Sequence, residues 1–162
     1  WRGDGIKKDS VPKGSGIMNI PYLDRAADPQ NGKLVFMSKC QRCHGTNGEG
    51  VLLSDSSKYQ YPPLWGEHSY TTAAGLFRIS RFAGYVRYNM PFDAPGLSDE
   101  EAWDVAAFVN SRMRPVRDFV EDWPNIAGKP FDHPYGPYAD GFSEAQHKFG
   151  PFAEIVKEKN KK

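Results

Sequence analysis

The stretch of sequence that decides the fold is Cys40-Gln41-Arg42-Cys43-His44, within a chain of 162 residues. It has the form C-x-x-C-H, which is the attachment signature of a c-type haem. Two cysteines three positions apart lie on neighbouring positions of a helical turn, so both thiols can reach one edge of a flat porphyrin. The adjacent histidine is then placed to ligate the iron from one face. We predict one covalently bound haem c, held by Cys40, Cys43 and His44.

Three other interpretations of the two cysteines remain open. The pair would form half of a zinc site if a second ligand pair with zinc spacing existed, and the sequence offers none. It would be a thioredoxin-type redox pair if a strand preceded it, and the pattern indicates no strand there. It would be a structural disulfide, since the chain contains only these 2 cysteines.

The sixth iron ligand is predicted to be Met90. It lies in Asn89-Met90-Pro91, where the proline stiffens the loop and restricts the residue before it. Met37 and Met113 fit better as residues that fill gaps in the core. The remaining rival ligands are Met18, His68 and Lys58. For His44 we expect a hydrogen-bond acceptor among the carbonyls of 62–64, because a ligating histidine needs its other ring nitrogen held.

Ligation by His44 and Met90 has a functional consequence. A thioether favours ferrous iron and raises the reduction potential, and two filled axial positions leave no open site for a substrate. The chain is therefore predicted to be an electron-transfer protein and not an enzyme, with no catalytic residues.

Composition and charge narrow the location and the partners. The net charge of +1 gives no reason to expect a nucleic-acid partner. The sequence has no run of about 18 apolar residues, so we expect no membrane span. The chain begins at Trp1, without a signal peptide, and C-x-x-C-H haem is attached outside the cytoplasm. We expect an exported, periplasmic protein whose signal peptide has been removed, with periplasmic redox proteins as partners.

Three regions are expected along the chain. Residues 1–28 form an N-terminal arm or linker, either flexible or packed on the core. Residues 29–114 form the domain that binds the haem. Residues 115–162, dense in proline, glycine and aromatic side chains, form an extension that wraps the core.

The predicted fold class is all-α, with three to five helices around one haem. A first helix starts at Asp28-Pro29 and runs toward Cys40. Gly32 within it indicates close approach of a second helix over 98–111, which opens with an S-x-x-E capping box. Two shorter helices are expected in 71–89, with Gly84 as a break or close contact, and 45–70 is expected to be loop.

Together these residues resemble class I cytochrome c over roughly 28–114. The stretches 61–66, Asn89-Met90-Pro91 and 97–110 are similar to the C-terminal haem domain of the thiosulfate dehydrogenase family. The tail 135–142 and the segment 11–30 also resemble that family, the latter its linker between two haem domains. The resemblance implies an electron-accepting role for Cys40, Cys43, His44 and Met90.

One departure from that family matters. Its enzymes carry a second, catalytic haem with a cysteine axial ligand, and here both cysteines serve one haem. We therefore expect a mono-haem c-type cytochrome that moves single electrons between periplasmic partners, with a link to inorganic sulfur oxidation. The alternatives are a haem enzyme of sulfur-compound oxidation, and a haem subunit or domain of a larger dihaem complex.

Overall fold

The computed structural model describes residues 7, 10, 16–118 and 120–161. The helices are α1 (Pro29–Val35), α2 (Gln41–His44), α3 (Ile79–Asn89), α4 (Asp99–Asn110), α5 (Glu144–Phe149) and α6 (Ala153–Lys159). A π-helical turn, Phe36–Cys40, joins α1 to α2, and three 3₁₀ turns cover Gly75–Phe77, Val120–Asp122 and Ile126–Gly128. The strands β1 (Val51–Leu52) and β2 (Tyr59–Tyr61) pair antiparallel.

The first helix starts as predicted. The Asp28 carboxylate accepts the Gln30 backbone N–H at 2.7 Å, and Pro29 takes the first helical position. The helical path does not stop at Cys40, because it widens into the π-helical turn and resumes as α2 up to His44. Single π-helical turns inside helices are frequent at functional sites. The whole C-x-x-C-H motif therefore lies at the end of one helical segment.

Helices α1 and α4 pack closely against each other at Gly32. A Cβ added to Gly32 would collide with the carbonyl of Asp104 and lie 2.8 Å from Cβ of Phe108. The predicted close approach at Gly32 is thus confirmed. The capping box of α4 is also present, with Ser98 Oγ accepting the Glu101 N–H at 3.1 Å and Glu101 Oε2 accepting the Ser98 N–H at 2.8 Å.

The two shorter helices expected in 71–89 are present as a 3₁₀ helix, Gly75–Phe77, followed by α3. Gly84 does not break α3. It lies inside the helix and faces the backbone carbonyl of Met18, with which a Cβ would collide. The described part of the N-terminal arm therefore packs on α3.

The loop expected over 45–70 contains the hairpin β1–β2, so the all-α prediction is corrected to a mostly helical cytochrome c domain with one short hairpin. Tyr59 and Tyr61 favour a strand, but three residues are too few for a periodic sequence signal. The turn between the strands is closed by Asp55, whose carboxylate accepts the Ser57 N–H at 3.0 Å and its Oγ–H at 2.7 Å.

One hydrophobic core joins the helical domain to the C-terminal segment. Phe36, Trp103 and Phe108 lie in the same cluster of buried side chains as Phe152 and Ile155. Ile155 is completely buried and belongs to α6, a helix that is not among those expected from the sequence. Within the described residues, no helix has the length and hydropathy needed to cross a membrane.

Candidate haem-binding site

The two cysteines lie where the π-helical turn meets α2, Cys40 at the end of the turn and Cys43 within the helix. Both are free thiols and half-buried, so they do not form the alternative disulfide. Burial raises the pKa of Cys40 to about 11. Among the described residues, no three or more His, Cys, Asp or Glu side chains are grouped so that they could hold a metal ion. A helix precedes the motif, not the strand of a thioredoxin-type pair.

His44 is oriented by a backbone carbonyl. Its Nδ1–H donates to the carbonyl oxygen of Pro62 at 2.8 Å, so the expected acceptor within 62–64 is present. This bond fixes the tautomer and leaves the Nε2 lone pair available for a metal. Burial lowers the pKa of His44, an effect opposed by the Pro62 hydrogen bond, and the neutral imidazole that iron requires is favoured.

The Pro62 carbonyl is held in place by the loop that follows His44. Gly50 N–H donates to the carbonyl of His44 at 2.8 Å, and Leu64 N–H donates to the carbonyl of Gly48 at 2.8 Å. Gly48 has a φ of 61°, and a Cβ there would lie 2.6 Å from the Trp65 ring. The glycines in this loop thus let the proline-rich segment lie directly against the motif.

Met90 follows the last residue of α3, and its N–H donates to the carbonyl of Val86 at 3.0 Å. Its side chain is half-buried against the core. The structure describes all four methionines, and the other three are exposed: Met18 at 54%, Met37 at 48% and Met113 at 88%. The expectation that Met37 and Met113 fill gaps in the core is therefore wrong. His68 and Lys58 are also exposed.

Two ion pairs around the motif were missed by sequence reasoning. Arg42 Nη2 contacts both carboxylate oxygens of Asp93, at 2.9 and 2.8 Å. Lys39 Nζ contacts Glu101 Oε1 at 2.7 Å. The partners are 51 and 62 residues apart, so no local pattern in the sequence could have paired them.

The wall beside the motif is aromatic. The rings of Phe36 and Trp65 lie 4.9 Å apart, and Trp65 meets Phe108 edge to face at 5.6 Å. Such ring pairs bury large apolar areas. The site therefore fits a covalently attached haem. It contains two free thiols, an imidazole whose orientation is fixed by the Pro62 carbonyl, and an apolar wall.

Comparisons with known proteins also indicate a protein that carries a c-type haem. Residues 27–109 match the family described as cytochrome c oxidase, cbb3-type, subunit III. The thiosulfate dehydrogenase of Allochromatium vinosum is 41% identical over 72% of this chain and 43% of its own length. That of Thiomonas intermedia is 36% identical over 71% of this chain and 36% of its own. The solved thiosulfate dehydrogenase TsdBA of Marichromatium purpuratum superposes with a TM-score of 0.60, at 34% identity, over 80% of this chain and 26% of that chain.

These comparisons confirm covalently bound haem c, with its iron, as the cofactor. They also overturn one prediction. The prediction that the chain is not an enzyme is wrong, because several of the relatives it matches are thiosulfate dehydrogenases, which are enzymes. The chain spans 43% and 36% of the length of the two relatives named above.

Proposed function

The chain belongs to the cytochrome c family, in the group typified by subunit III of cbb3-type cytochrome c oxidase, and from this premise we propose that it is the electron-transfer haem domain of a thiosulfate dehydrogenase. In that role it accepts electrons released when thiosulfate is oxidised and passes them singly to a redox protein. The observation that carries the proposal is the 41% identity to a thiosulfate dehydrogenase over 72% of this chain, together with the family match over 27–109, which contains the C-x-x-C-H motif and both cysteines.

The proposed site consists of four residues. Cys40 and Cys43 would attach the haem, and His44 and Met90 would ligate its iron. When bound, the haem supplies an iron that changes by one electron. His44 is supported in this role by the Pro62 hydrogen bond, and Met90 by being the methionine that is not exposed.

The surrounding residues suit an electron acceptor. A thioether ligand stabilises ferrous iron and so raises the potential. The packed rings of Phe36, Trp65 and Phe108 form an apolar wall beside the motif. Burial against apolar groups is one of the factors that set the potential of a haem. If His44 and Met90 both ligated the iron, this domain would offer thiosulfate no open coordination site, and its part in the enzyme would be to receive the electrons.

The remaining parts of the proposal concern organisation and location. We place the domain in the periplasm, where C-x-x-C-H haems are attached, facing a soluble redox partner through a small, transient interface. Residues 29–114 form the cytochrome domain. Residues 1–28 act as a linker and residues 115–162 as an extension of the same domain.

The test uses the oxidised, haem-loaded chain mixed without oxygen with thiosulfate, alone and with a catalytic amount of the Allochromatium vinosum thiosulfate dehydrogenase. Haem reduction is followed by absorbance. The proposal predicts reduction only when the catalytic enzyme is present. It fails if the haem stays oxidised in both mixtures, or if thiosulfate alone reduces it at the catalysed rate.

A further inference from the structure

The segment that carries Met90 is fixed at both of its ends by side chains. Before Met90, the Asn89 side-chain amide donates to the carbonyl of Gly16 at 2.6 Å and to that of Tyr85 at 2.8 Å. After Met90, the Asp93 carboxylate receives the two-oxygen contact from Arg42. The first attachment is to the N-terminal arm and α3, and the second reaches across to the haem-attachment motif.

Arg42 is part of the haem-attachment motif itself. It lies between Cys40 and Cys43, so covalent attachment of the haem through both thiols fixes its backbone relative to the porphyrin. Asp93 lies three residues after Met90. The ion pair therefore links the segment that bears one proposed axial ligand directly to the segment that bears the other.

Burial does little to hold this part of the loop. Residues 92–96 are all exposed. The turn that follows Met90 is closed by the Ala94 N–H, which donates to the carbonyl of Pro91 at 3.1 Å. A short turn fixes its own shape but not its distance from the motif. The contact between Arg42 and Asp93 supplies that distance constraint.

We propose that Arg42 and Asp93 are positioning residues for the sixth ligand, forming a latch that keeps the Met90 segment closed over the haem-attachment motif. Opening the latch lets Met90 leave the iron more often, so an external ligand binds more readily. This inference rests on the proposed function, which assigns Met90 as the ligand. Because both partners of the pair are solvent-exposed, the expected effect is small, about threefold in ligand affinity.

The test is an imidazole titration of the ferric, haem-loaded chain, following loss of the far-red band of methionine–iron ligation. The variants are Arg42→Met, Asp93→Asn and the double variant. Each single variant is expected to bind imidazole about threefold more tightly than the parent. The double variant should match the singles, because two residues acting through one contact are not additive. If the Arg42→Met protein binds too little haem to be titrated, Asp93→Asn tests the same contact from its other side.

Lys39→Met is the matched control. It removes the same charge from the same helical segment and breaks an ion pair of 2.7 Å, but that pair leads to α4 and not to the Met90 segment. Its imidazole affinity should equal the parent's. Unchanged affinity in Arg42→Met and Asp93→Asn, fully additive effects, or an equal effect in the control would each overturn the latch. If Met90→Ala retains the far-red band, the ligand assignment fails instead, so the two failures are distinguishable.

Discussion

At the scale of single residues, Glu101 shows how one carboxylate serves two elements. It accepts the Ser98 N–H as part of the capping box and forms the ion pair with Lys39. The Lys39 contact is the main cause that lowers the pKa of Glu101 from its ordinary value of 4.5. The charged carboxylate thus ties the start of α4 to the π-helical turn that carries Cys40.

This arrangement predicts how stability depends on pH. Because the folded-state pKa of Glu101 is lowered, its contribution is complete above 4.5 and is lost as pH falls through the folded-state pKa. Glu101→Gln should therefore lower the free energy of unfolding by up to about 1 kcal/mol at pH 7. Denaturant unfolding at neutral and acid pH measures this. A difference that persists unchanged well below the lowered pKa would contradict the assignment.

At the scale of elements, the α1–α4 crossing depends on the absence of a side chain at Gly32. Gly32→Ala should destabilise the chain by about 3 kcal/mol, because the added methyl group meets the Asp104 backbone, which cannot move aside cheaply. Helix propensity alone predicts the opposite sign, a gain of about 1 kcal/mol. Thermal or denaturant unfolding decides between the two.

Gly75→Ala is the matched control for this prediction. An added Cβ at Gly75 meets no atom within 4 Å, so the same chemical change should alter the free energy of unfolding by a few tenths of a kcal/mol. If the two variants unfold alike, close packing at Gly32 does not hold the helices together.

Sequence reasoning succeeded where a signal is local. The cap at Asp28 and the capping box at Ser98 each lie within four residues, and each element starts where its pattern indicated. The π-helical turn and the hairpin were missed because neither has a periodic pattern long enough to detect. The contact of Arg42 with Asp93 was missed because only the folded chain brings the two together.

At the scale of the whole molecule, the segments outside the cytochrome domain share its core. Trp103 Nε1–H donates to the carbonyl of Pro21 at 2.8 Å, and Arg25 makes a two-point contact with Asp104 at 2.8 and 2.9 Å. Ala27 N–H donates to the carbonyl of Phe149, which joins the N-terminal arm to α5. The segment 21–27 thus contacts both α4 and the end of α5.

The buried position of Ile155 tests this shared core. Ile155→Ala should cost about 2–5 kcal/mol, since the residue is completely buried and leaves a cavity. Unfolding followed by haem absorbance and by far-ultraviolet circular dichroism should shift together. Val116→Ala, at a position 82% exposed, should change the free energy of unfolding by less than about 0.5 kcal/mol. If Ile155→Ala does not shift the unfolding transition measured by haem absorbance, the extension folds separately.

The measurement that tests the central claim most directly is the ferric spectrum and reduction potential of the haem-loaded chain, before and after Met90→Ala. The parent should show the far-red band of methionine–iron ligation. The variant should lose the band, become high-spin, bind carbon monoxide readily when reduced, and have a lower potential, because the ligand that favours ferrous iron is gone. A variant that keeps the parent's band and potential would show that Met90 is not the ligand and that the electron-transfer site has been wrongly assigned.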